Sequence, residues 1–174
     1  ISVIVNAAGI APTAPFQKLD EDSWRKTLDV NLTGCFLVTK AGLPDMITHN
    51  WGRIIQIASV ASTRGFEYAT AYCAAKHGVL GLTRALAKEV AQKGVTVNAV
   101  CPSYVDTDIV NAAIENIVTK TNKTRDEALT HFVDSNPQKR LLTPQEVASV
   151  VSWLTEDGAA GINGQAINID GGDT

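Results

Sequence analysis

Short apolar runs rich in β-branched residues recur four times along the chain, at residues 1–7, 53–58, 95–101 and 164–169, and each ends at a turn former or a polar residue. Runs this short and this apolar read as strands buried in a parallel sheet. Between them the apolar positions change to a helical period. Trp24, Leu28, Leu32, Phe36 and Leu43 form one stripe, which predicts a helix over about 23–48 capped by Glu21 or Asp22. Asn31 falls in its middle, where an amide lowers helix propensity without a local return. A second helix is expected over about 70–92, ended by Gly94 and rich in small residues (Ala71, Ala74, Ala75, Gly78, Gly81). Thr143, Pro144 and Glu146 fit the cap, first and third positions of a helix running to about Thr155. The segment 103–142 is less regular, with helical pieces at 108–119 and 125–134, and is long enough to cover a crevice as a lid.

Strands alternating with helices predict an α/β fold with a parallel sheet, in which ligands lie at the carboxyl ends of the strands. Those ends are Asn6 to Gly9, Ser59, and Pro102 to Thr107.

Composition narrows the function. The 174 residues suffice for one domain, and 45% hydrophobic with 19% charged residues is ordinary for a globular protein. A net charge of -3 without a basic cluster gives no reason to expect nucleic acid or an anionic membrane as partner. No apolar run reaches the length of a membrane span. Cys35, Cys73 and Cys101 are odd in number and widely spaced, which suits free thiols in a cytoplasmic setting, and His49, His77 and His131 are too scattered for a metal site. The first residues, Ile1 to Val5, read as the inside of a strand, so the chain is expected to begin partway through a domain.

The chemistry concentrates in residues 54–88. Tyr72 and Lys76 are four apart on the predicted helix and so share a face. An ammonium beside a phenol favours phenolate, which makes the pair a candidate acid/base near neutral pH. Ser59, at the preceding strand end, can add a hydroxyl. The Tyr-x-x-x-Lys spacing alone is weak, since chance supplies it in about one such chain in six. The ordered set of Asn6-Ala7-Ala8-Gly9, Asn31, Ser59, Tyr72, Lys76 and Pro102-Ser103-Tyr104-Val105-Asp106-Thr107, with the tail Gly164 to Gly172, closely resembles the short-chain dehydrogenase/reductase family.

The resemblance implies a Rossmann-like, doubly wound parallel sheet forming one domain over residues 1–174, with a substrate lid at about 108–142. It implies hydride transfer between NAD or NADP and a ketone or secondary alcohol. Tyr72 would be the acid/base, Ser59 would polarise the substrate oxygen, Lys76 would lower the phenol pKa and hold the nicotinamide ribose, and Asn31 would hold a water. Cofactor contacts would come from Asn6, Ala8, Gly9, Tyr72, Lys76, Pro102, Val105 and Thr107. No metal is implied. The family's first strands and Gly-rich diphosphate turn have no counterpart in this sequence, nor has the residue that selects NAD or NADP.

Similar members include 3-hydroxybutyrate dehydrogenases and ketoreductases of 3-oxoacyl thioesters. Where the former grip a carboxylate, this chain has Ala11, Ala61, Ala69 and Ala113, which favours a thioester or neutral ketone over a free 3-hydroxy acid, with Phe66, Tyr104 and the lid setting specificity. A hydroxybutyrate dehydrogenase-like activity and a non-catalytic fragment that self-associates are the alternatives. The resemblance further implies a homodimer or homotetramer, and the first strand is expected to expose an apolar edge.

Overall fold

A computed structural model describes residues 1–173. Four strands, β1 (Val3–Asn6), β2 (Gly52–Ile57), β3 (Val95–Pro102) and β4 (Ala166–Ile169), form one parallel sheet in sequence order. The helices are α1 (Glu21–Leu28), α2 (Gly34–Thr48), α3 (Thr70–Val90), α4 (Asp108–Lys120), α5 (Arg125–Asp134) and α6 (Pro144–Thr155).

Alternation along the strands sorts the core into two layers. Ile4, Ile54, Val95 and Val97 meet Met46, Ala87 and Val90 of α2 and α3. Ile55 and Val100, one residue out of phase, meet Leu154 and Val150 of α6 on the other face. Every residue of β3 is buried, so this strand is the centre of the fold. Each fully buried aliphatic side chain contributes about 1.5–3 kcal/mol relative to exposure. A third cluster, Val110, Ile114, Ala128 and Phe132 with Tyr104 and Leu141, joins α4 to α5 and ties both to the loop after β3.

α5 and α6 begin with reciprocal capping boxes at Thr124/Glu127 and Thr143/Glu146, the second as expected from the sequence. The start of α1 differs from expectation. Asp20 is the cap, its carboxylate accepting from the Ser23 backbone N–H at 2.7 Å, while Glu21 and Asp22 lie inside the first turn, where acidic groups suit the helix dipole. The helix expected over 23–48 is also interrupted. Residues Asp29–Thr33 adopt a π-helical turn that separates α1 from α2, with Asn31 at its centre. The last strand is shorter than expected, starting at Ala166. Among the described residues, no helix is long and apolar enough to cross a membrane, and no cluster of His, Cys, Asp or Glu could hold a metal ion.

Candidate functional site

Three strand ends and the π turn converge on α3. Ser59 leaves β2 in extended conformation and starts a short 3-10 turn, Val60–Ser62, by accepting the Ala61 N–H on its own hydroxyl at 3.1 Å. That contact leaves the Ser59 hydroxyl proton free to donate. Lys76 is 4% exposed, and its Nζ donates to the Ile57 carbonyl at 2.7 Å, just upstream of Ser59. The ammonium stands 5.6 Å from the centre of the Tyr72 ring. Phenol, ammonium and serine therefore occupy one site, as their spacing predicts.

Burial dominates their electrostatics. Burial pushes the Tyr72 phenol up, with smaller contributions from Cys73, Cys101 and Tyr104, while the Ser59 hydroxyl draws it back down. Lys76 is pushed down by burial, which the Cys35 and Cys101 thiols oppose. Desolvation is the largest influence on the phenol, and the Lys76 ammonium is itself enclosed and bonded to a backbone carbonyl.

Asn31 finds its return twenty-one residues upstream. Its Nδ2 donates to the Ile10 carbonyl and the Thr27 carbonyl, both at 2.9 Å, and its Oδ1 accepts the Ile10 N–H at 3.1 Å. The amide thus pins the loop after β1 to the helix pair, and the π turn is the local irregularity that aims it. Gly9 explains why a glycine stands there. A Cβ on it would lie 2.8 Å from Asn31 Oδ1 and 3.9 Å from Lys76 Nζ, so only a bare backbone lets this loop approach the site.

The remaining candidates occupy the rim. Asn6 turns its side chain into the sheet, donating to Gln56 Oε1 at 2.9 Å and Thr39 Oγ1 at 3.1 Å, while Ala8 is exposed at the strand end. Pro102 is buried at the end of β3. Beyond it the loop is fastened by the Leu142 N–H to the Tyr104 carbonyl and the Asp106 N–H to the Leu142 carbonyl, both 2.9 Å, with Val105 bridged to Leu142. Thr107 donates its hydroxyl to the Val105 carbonyl at 3.2 Å and stands before α4. Tyr104 packs edge-on against Phe132 of α5, with ring centres 4.9 Å apart. A cavity of about 570 Å³ lies between the β1 loop and α4, lined by Gly9, Ala11, Thr13, Thr27, Ile109 and Ala113. It opens beside Asn31 rather than around Tyr72, and Asn116 of α4 bridges it to Thr13 at 3.0 Å. One group in this region carries no sequence signal: Arg64, half-exposed in the loop between Ser59 and Tyr72, is paired with Asp173 across 109 residues.

The nicotinamide half of a dinucleotide fits this frame. Gly9 admits a close backbone approach, Lys76 has donors to spare beyond its bond to Ile57, and the Pro102–Thr107 loop borders the same end of the sheet.

Over residues 1–174 the chain matches the family described as enoyl-(acyl carrier protein) reductase. It is 42% identical over 172 residues to nodulation protein G of Azospirillum brasilense, and 39% identical over 172 residues to acetoacetyl-CoA reductase of Cupriavidus necator, covering 99% of this chain and 65% of the relative in each case. Among solved structures, a variant of actinorhodin polyketide ketoreductase with NADPH superimposes with a TM-score of 0.95 at 38% identity, over 99% of this chain and 67% of that one. The chain thus spans about two thirds of the length of the proteins it matches.

Proposed function

The chain belongs to the short-chain dehydrogenase/reductase family, and from that premise we propose that it serves an NAD(P)-dependent oxidoreductase interconverting a ketone and a secondary alcohol. The observation that carries the proposal is the half-buried Tyr72 phenol with the enclosed Lys76 ammonium 5.6 Å from its ring centre and the Ser59 hydroxyl on the same strand end as the carbonyl that Lys76 grips. Reduced nicotinamide supplies the hydride when bound. Ser59 donates to the substrate carbonyl and fixes its oxygen against Tyr72. Tyr72 gives its proton to that oxygen as charge develops there. Lys76 then stands 5.6 Å from the ring centre, where its charge stabilises the phenolate left behind. Asn31, with both amide hydrogens engaged, positions the β1 loop and keeps one carbonyl lone pair for a water.

The substrate reading is a 3-oxoacyl thioester or related ketone. Ala11 and Ala113 in the cavity wall, with Ala61 and Ala69 elsewhere, offer no polar grip on a small free acid, and the relatives include an acetoacetyl-CoA reductase. NAD(P)H oxidation driven by acetoacetyl-CoA is the direct test. Tyr72→Phe should lower kcat about a thousandfold, about 4 kcal/mol, with circular dichroism unchanged. Efficient turnover of free acetoacetate without turnover of the thioester would reverse the substrate reading. Absence of saturable NAD(P)H binding at millimolar cofactor would favour a non-catalytic role. Self-association is supported by Phe36, Leu37 and Val38, which α2 leaves 43–56% exposed in succession.

A further inference from the structure

The Tyr104 side of the crevice holds a guanidinium that the proton-transfer scheme does not use. Arg64 lies just beyond the 3-10 turn that Ser59 opens. It stacks over Phe66, with its central carbon 5.4 Å from the ring centre. Its Nη2 pairs with the Asp173 carboxylate, and its Nη1 donates to the Asp173 backbone carbonyl at 2.8 Å. The Nε–H is enclosed and has no partner among the described residues. Arginine presents its donors as a rigid fork suited to two-point contact with an oxyanion, and here one edge of the fork is only partly engaged.

The anion that occupies Arg64 comes from the turn after β4. Asp173 follows Gly171 and Gly172, at φ +68° and +94°, and the Gly172 N–H donates to the Asp170 carboxylate at 3.0 Å. The two side chains are 36% and 31% exposed, and ion pairs so open to water are weak. Arg64 follows the carboxyl end of β2 and Asp173 that of β4, so the pair bridges across the end of the intervening strand β3, from which the Tyr104 loop departs.

We infer that Arg64 receives an oxyanionic group of the substrate, and that the Asp173 carboxylate holds this place until substrate displaces it. The inference rests on the ketone reading above and names a feature of the molecule that site accepts. A carboxylate on an oxo acid and the phosphate of a pantetheine arm present the same two-oxygen edge, so the chemistry is shared and the source is settled by experiment.

The test compares ethyl acetoacetate, which is neutral, with acetoacetate and with S-acetoacetyl-pantetheine 4′-phosphate, in the natural protein and in Arg64→Gln, Arg64→Lys and Asp173→Asn. Arg64→Gln is expected to lower the selectivity for one anionic substrate over the neutral ester at least tenfold, through KM rather than kcat. Arg64→Lys, which keeps charge without the fork, should fall between. Asp173→Asn should raise the same selectivity severalfold. A loss confined to acetoacetate assigns the carboxylate, and a loss confined to the pantetheine compound assigns the phosphate. Unchanged selectivity for both anions in Arg64→Gln, or in Asp173→Asn, overturns the inference. Should the natural protein turn over none of the three, the ketone reading has failed, and Arg64 is judged by its side-chain Nε–H resonance. A shift on adding either anion, larger in Asp173→Asn, supports the receptor, and no shift with either overturns it.

Discussion

β1 and β3 are parallel strands of one sheet, yet they are held by different physics. β3 is buried along its whole length between α3 and α6, by aliphatic contacts on both faces. β1 buries only Ile4 and Asn6, and leaves Val3 and Val5 about 40% exposed on the face that no helix covers. What fixes the β1 end is polar. Asn6, Thr39 and Gln56 form a buried hydrogen-bonded cluster across β1, α2 and β2, and Asn31 clamps Ile10 beyond the strand end. Ser59, Tyr72 and Lys76 rise from the aliphatic side, while the cavity and the Gly9 turn belong to the side held by polar pegs. Directional bonds fix a loop's position where too little apolar surface is available to do so, but each peg leaves a costly orphan if its partner is removed.

The largest effect on stability is therefore expected at Asn31. Asn31→Ala releases both backbone groups of Ile10 and the Thr27 carbonyl, with a cost of about 2–3 kcal/mol in unfolding free energy from the stranded groups. Activity should fall as well, because the β1 loop is no longer fixed beside Lys76. Urea unfolding and steady-state kinetics read the two consequences, and a variant that loses activity at full stability would make Asn31 a direct participant rather than a peg.

A smaller and purely structural effect is expected one strand earlier. Asn6→Ala strands the Oε1 of Gln56, which is completely buried, at a cost of about 1–2 kcal/mol. KM for NAD(P)H should move little, since the Asn6 side chain faces away from the crevice. Adding Gln56→Met removes the orphan and should recover part of the loss, a non-additivity that a double-mutant cycle measures directly. A large rise in cofactor KM in Asn6→Ala would instead assign this residue to the cofactor contacts that the family resemblance implies.

The same division decides what the sequence made legible. Much that is governed by local rules came through: the four strands, the limits of α5 and the Thr143 capping box, though not the Asp20 cap of α1. What did not come through depends on distant partners. Asn31 reads as a defect inside a helix until Ile10 is brought against it, and the π turn follows from that contact. The bonds of the Asn6 amide to Gln56 and Thr39 are equally invisible in the sequence. The environment of the phenol is only partly legible: Lys76 is visible at four residues' distance, whereas the burial acting on Tyr72 is supplied by the whole fold. The Arg64–Asp173 pair is silent because nothing local links residues so far apart.

The smallest expected effect tests the aliphatic side through its one buried cation. Burial holds Lys76 below its ordinary value of 10.5. Between the folded and unfolded pKa the unfolded chain binds more protons, so Lys76 makes stability rise with pH in the window beneath 10.5, a contribution lost as pH falls through the folded pKa. Tyr72, Tyr104, Cys35 and Cys101 are all pushed up by burial and act with the opposite sign, from about pH 9 for the thiols and about pH 10 for the phenols. Lys76 also draws the Cys35 and Cys101 thiols down, so the difference in slope between the natural chain and Lys76→Met reads the lysine together with its coupling to these two thiols. Urea unfolding across pH 7–10.5 should show a more positive slope in the natural chain, by at most about 1.4 kcal/mol per pH unit. Identical slopes would mean that Lys76 enters the folded state with its charge fully compensated. The Ile57 carbonyl, not the surrounding aliphatic packing, would then be the dominant influence on the ammonium that stands beside Tyr72.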